Sequence, residues 1–79
     1  MNKEHLKIIH KILKQTFSFT SSDYQIVKDS AGINIFFRNL LLTSEIDDIV
    51  LKIEEELDDV MVEENPIFGF QTYLTILEL

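Results

Sequence analysis

The stretch SEIDDIVLKIEEELDDVMVEEN, Ser44 to Asn65, carries ten acids and one base, Lys52. Its apolar residues Ile46, Ile49, Val50, Ile53, Leu57, Val60 and Met61 recur at intervals that form one stripe on a helix, and the spacing predicts an acidic amphipathic helix over 44–63. Ser44 is placed to cap it, with Asp47 three residues on as the partner of a capping box. Asn65-Pro66 then ends it, because the residue before a proline avoids the α region.

The flanking sequence supplies the remaining elements. Leu6, Ile9, Leu13 and Phe17, widened by Ile8 and Ile12, predict a helix over 3–16. At about 100° per residue, Lys3, Lys7, Lys11 and Lys14 fall within a sector of about 80° and form a basic ridge opposite the apolar face. Phe17 to Thr20 alternates and could be a short strand. Tyr24–Asp29 and Ile33–Asn39 alternate around Asp29-Ser30-Ala31-Gly32, which predicts a β-hairpin over 24–39 with Gly32 at a positive-φ position. Residues 68–77 alternate again and carry Thr72, Tyr73 and Thr75, which predicts a final strand.

The predicted architecture is a single α+β domain over 1–79 of order α-β-β-α-β, a three-stranded sheet with two helices on one face. It resembles a ferredoxin-like fold lacking its first strand, in architecture alone. The connection through the second helix should be right-handed if the strands it joins are parallel in one sheet. One sheet face, with Tyr24, Ile26, Ile33, Ile35, Phe37, Phe70, Leu74 and Ile76, is apolar enough to meet the helices. The other mixes polar residues with Phe36, Tyr73 and Leu77. Phe36, Arg38 and Tyr73 are its candidate oligomer contacts, since aromatics among polar neighbours suit an interface.

Composition narrows the function. A hydrophobic fraction of 46% argues against disorder over most of the chain. Without cysteine there is neither a disulfide framework nor a thiolate site. The amino-terminal segment sets lysine or histidine every few residues where a signal peptide has its apolar core, and no apolar run is long enough to cross a bilayer. A cytoplasmic protein without a membrane partner is expected. The net charge of −7 disfavours direct nucleic-acid binding.

Catalytic and metal-binding patterns are missing. Two glycines cannot build a phosphate-cradling loop, and no nucleophile motif surrounds any serine. His5 and His10 are five apart, where one-face metal binding on a helix wants three or four. Acids opposite an apolar stripe are solvated, whereas general acid–base pairs need one carboxylate buried enough to hold a proton. No EF-hand spacing around a glycine occurs in the acidic stretch. A non-enzymatic protein with no cofactor is expected.

The acidic helix has a cost. Glu54–Asp58, Glu55–Asp59, Glu55–Asp58 and Glu56–Asp59 become like-charge neighbours, each unfavourable by about 0.2–0.5 kcal/mol. Asp58, Asp59, Glu63 and Glu64 also lie toward a helix C-terminus, which disfavours anions. Solvation, pairing with the lysine ridge of a second copy, and docking on a basic partner compete as explanations. The leading expectation is an inhibitor-like module that binds a protein with a basic, nucleic-acid-binding surface. Carboxylates three and four apart on a helix sit about 5–6 Å apart, near the phosphate spacing of a nucleic-acid strand. Phage counter-defence and toxin-immunity proteins have this general character, an analogy of type alone. The contact residues would be Asp47, Asp48, Glu54, Glu55, Asp58 and Asp59. Leu51 either anchors that interface or packs on the loop around Leu40–Leu42, with the packing slightly favoured. The alternative is a structural or assembly protein, a homodimer or larger oligomer formed through the outer sheet face or by ridge-to-acid pairing.

Overall fold

The acidic stretch divides into a helix and a strand. A computed structural model describes residues 2–67 and 71–79. The chain runs α1 (Lys3–Lys11), a π-helical turn (Ile12–Thr16), β1 (Tyr24–Lys28), β2 (Ile33–Phe37), α2 (Thr43–Glu56), β3 (Val60–Ile67) and β4 (Gln71–Glu78). The expected three-stranded sheet is therefore corrected to a four-stranded antiparallel sheet of order β1-β2-β4-β3. β2 and β3 both run antiparallel to β4, so α2 joins two parallel strands with β4 between them. Phe68 and Phe70, read as part of the last strand, lie outside the described residues.

Electrostatics and side-chain shape favour ending α2 at Glu56. The last helical bond runs from the Leu57 N–H to the Ile53 carbonyl, and Leu57 is already extended at φ −122, ψ 94. Ending there removes the expected like-charge helical pairs to Asp58 and Asp59, which instead lie in a turn. The following Val60-Met61-Val62 suits a strand, because β-branched side chains pack well on a pleated surface. Strand alternation then splits two residues assigned to one helical stripe: Val60 is 5% exposed in the core, and Met61 is 41% exposed on the other face. Asn65-Pro66, expected to stop a helix, lies within β3.

At its start, α2 is capped differently from expectation. Thr43 is its first residue and Leu42 its N-cap, displacing Ser44. Glu45 bends back to accept the Leu42 N–H at 2.9 Å, so Asp47 is not the capping partner. Helix α1 has a more complete cap, with Asn2 Oδ1 accepting the His5 N–H at 3.1 Å. After the π-helical turn the Phe19 N–H reaches back to the Leu13 carbonyl (2.9 Å), and Ser18 takes a left-handed φ of 60°. This reversal, not a strand, occupies 17–20.

Both helices cover one face. Ile9, Ile12 and Leu13 from the first helical segment and Ile46, Ile49 and Ile53 from α2 join Tyr24, Ile33, Ile35, Phe37, Val60, Leu74 and Ile76 in one buried cluster. Register places Ile35 beside Leu74 and Ile33 beside Ile76 at its centre. Gly32 matters through close approach, and its φ is outside the left-handed region expected for it. A Cβ there would collide with the Ile76 carbonyl oxygen of the neighbouring strand.

Candidate functional site

Helix α2 sorts its side chains by angle. Ile46, Ile49 and Ile53 are buried, and Val50 is half-buried. Asp47, Asp48, Leu51, Glu54 and Glu55 share an outward arc of about 120°, with Leu51 near its middle. Leu51 is 60% exposed, while Leu40 and Leu42 are also exposed at 73% and 68%. A largely exposed apolar side chain thus stands among carboxylates. Asp47, Asp48 and Glu55 are exposed, with no cationic partner among the described residues. Lys52 pairs with Glu56 instead, at 3.3 Å.

Three of the predicted contact acids are placed differently from the rest. Glu54 Oε2 accepts the Val62 N–H of β3 at 3.3 Å. Asp58 and Asp59 lie beyond the helix, in the α2–β3 turn. Asp59 holds the ring of His5, whose Nε2 lies 3.1 Å from Oδ2 and 3.3 Å from Oδ1. The other ring nitrogen lies 2.8 Å from Asn2 Oδ1. His5 is only 8% exposed, so it ties the start of α1 to the turn before β3. The spacing of the histidines carries no signal for this contact, because its partner is 54 residues away.

The second histidine faces a different neighbour. His10 Nδ1 lies 2.8 Å from the Tyr24 hydroxyl, with the rings 5.7 Å apart. Burial, then the nearby Lys14 charge, lowers the His10 pKa below its ordinary 6.5. Burial raises that of Tyr24. Around this pair an open groove of about 290 Å³ is lined by Leu6, His10, Ser21, Tyr24, Ile26 and Lys28.

The outer sheet face has no covering helix among the described residues. Phe36 and Tyr73 stack at 4.8 Å across β2 and β4, while Arg38 is exposed at the end of β2. A polar chain crosses the same face. Asn65 Nδ2 donates to Thr75 Oγ1 (2.9 Å), Thr75 donates to Asn34 Oδ1 (2.8 Å), and Asn34 Nδ2 donates to Asp29 Oδ2 (2.9 Å). Asp29 also accepts the Ala31 and Gly32 amides. Those backbone bonds, then the Asn34 bond, hold its carboxyl below the ordinary value of 3.8.

No group of three or more acids, histidines or cysteines among the described residues could hold a metal ion. No helix among them is long and apolar enough to cross a membrane. The class defined by this geometry is a small α+β domain with two helices on one face of a four-stranded antiparallel sheet. In comparisons with known proteins, no family model, no curated protein and no solved structure matches the chain.

Proposed function

We propose that the protein is a non-enzymatic binding module that docks the outward arc of α2 on a basic surface of a target protein. The observation carrying this reading is Leu51, exposed at the middle of an arc with Asp47, Asp48 and Glu55 unpaired around it. An apolar anchor inside a charged rim is a common interface pattern. Glu54 contributes to the rim while bound to Val62, and Asp58 and Asp59 extend the negative field past the helix end. A nucleic-acid-binding groove is the proposed target surface, and inhibition by occupying it the proposed action. Charge steering would make association fast and sensitive to salt.

Affinity capture from the cell that makes the protein tests this reading. Wild type is compared with Leu51→Ser and with Asp47→Lys/Asp48→Lys/Glu55→Lys, which leave the Glu54 and Asp59 contacts in place. A basic protein captured by wild type alone, and released by moderate salt, is expected. Equal capture by all three proteins contradicts the reading.

Self-assembly through the outer sheet face is the second reading. The Phe36–Tyr73 stack on an uncovered face favours it. The Asn65–Thr75–Asn34–Asp29 chain weighs against it, because those groups are already satisfied without a second copy. Light scattering separates a monomer from such an assembly.

A further inference from the structure

The two edges of the sheet are finished differently. On β3, the Leu79 N–H bonds the Asp59 carbonyl, so alternate pairs toward β4 are bonded and Val62, Glu64 and Pro66 turn their backbone outward. That edge is blocked three ways. Glu54 occupies the Val62 amide, Glu64 places a charge there, and Pro66 has no N–H to offer.

On β1, bonds from the Arg38 N–H to the Asp23 carbonyl and from the Asp29 N–H to the Gly32 carbonyl set the opposite phase of pairing. Tyr24, Ile26 and Lys28 therefore turn their N–H and C=O groups away from the sheet. These groups have no partner among the described residues, and neither proline nor a capping carboxylate covers them, so the charge of Lys28 is the one guard on this edge. The side chains of the same three residues line the groove against α1, with Leu6 and half-buried Ile26 as its apolar seat. A row of unused hydrogen-bonding groups thus runs beside an open groove.

Among the described residues, Lys28 is the only lysine, arginine or acid lining the groove. Lys28 is exposed and has no carboxylate partner among the described residues, and the charge of Lys14, four residues beyond His10 in the chain, acts on the His10 ring. The acids flanking β1 are already engaged: Asp23 by the Thr20 amide and hydroxyl, Asp29 by Ala31, Gly32 and Asn34.

We propose that the β1 edge is a docking strand for an extended acidic peptide of a partner protein, which adds as a fifth strand. Its backbone pairs with Tyr24, Ile26 and Lys28. One apolar side chain enters the groove beside Ile26 and Leu6, and a carboxylate two residues away meets Lys28. This surface is separate from the α2 arc and does not depend on it.

The test uses the full chain, labelled with nitrogen-15, and the capped peptide Thr-Glu-Thr-Val-Thr-Glu-Thr, which offers a carboxylate to Lys28 in either direction. Saturable shifts and slowed exchange of the Tyr24, Ile26 and Lys28 amides are expected. Affinity should fall about tenfold or more when lysine replaces the peptide's glutamates, or in Lys28→Glu. Ile26→Pro removes one outward N–H where an edge strand tolerates proline, and should bind about tenfold more weakly. Lys28→Glu keeps the test valid if Ile26→Pro fails to fold. Absence of saturable shifts at millimolar peptide, equal binding of the lysine peptide, or shifts confined to β3 would overturn the proposal. So would a dimer in solution that pairs through β1, since the edge would then belong to a second copy.

Discussion

Glu54 Oε2 lies 3.3 Å from the backbone nitrogen of Val62, so a helix carboxylate occupies an outward amide of the edge strand that follows it. The contact gives one acid of the charged stretch a structural task. Glu54→Ala should destabilise the fold by about 0.5–1.5 kcal/mol, the usual range for one lost hydrogen bond. It should also promote association, because it reopens part of the β3 edge. Urea denaturation and light scattering on the same samples check both effects. Unchanged stability and association would show the contact to be idle.

Gly32 and Ser18 should respond in opposite directions. Gly32→Ala forces a Cβ onto the Ile76 carbonyl oxygen and should cost about 2–3 kcal/mol through displaced backbone. Ser18→Gly relieves a left-handed residue at φ 60° and should stabilise by about 0.5–1 kcal/mol. Chemical denaturation of both variants measures the two signs.

His5 and Asp59 should be coupled. His5→Ala should cost about 1–3 kcal/mol by removing a buried ring and leaving its partners unmatched. A double-mutant cycle with Asp59→Ala should return a coupling of about 0.5–1 kcal/mol, kept small because the carboxylate is 59% exposed. Additive effects would mean that the ring acts through packing alone.

Stability should fall on mild acidification through His10. Burial, then Lys14, holds its pKa below 6.5 in the fold, so the unfolded chain takes up a proton first. Its contribution is complete above about pH 6.5 and is lost as pH falls through the lowered folded value. The His10→Asn protein should show a flatter urea midpoint between neutral pH and the start of carboxylate titration. Asp23 and Asp29 act in a separate, lower window. Hydrogen bonds lower both carboxyls from 3.8, led by the Thr20 amide for Asp23 and the Ala31 amide for Asp29. Their contributions are present above that value and lost as pH falls through the lowered ones. An identical pH profile for His10→Asn and wild type would contradict the assignment.

Much of the core was legible in the apolar periodicity. Ile46, Ile49 and Ile53 keep helical spacing and are buried, and alternation separates Ile33, Ile35 and Phe37 from Asn34 and Phe36. The break at Glu56 was not, because Leu57, Val60 and Met61 fit a helical stripe as well as they fit the start of a strand. The like-charge repulsion of a continuous helix favours the break, as does the β-branched pair Val60 and Val62. Missing β3 also hid the Asn65–Thr75–Asn34 chain, which needs three neighbouring strands to be seen. The outward arc of α2 was legible where the helix is real, at Asp47, Asp48, Leu51, Glu54 and Glu55. The engagement of Asp59 by His5 was not, since local spacing carries no information about a contact between distant segments.

The Leu51 arc is proposed above as a contact surface for a basic protein. A photoreactive residue at position 51 in the producing cell tests it most directly, with the same residue at the Lys7 position as the comparison. One dominant adduct with a basic protein is expected from position 51, absent from position 7 and suppressed by Asp47→Lys/Asp48→Lys/Glu55→Lys. No adduct from position 51, or the same adducts from both positions, would contradict it and leave α2 a solvated acidic face.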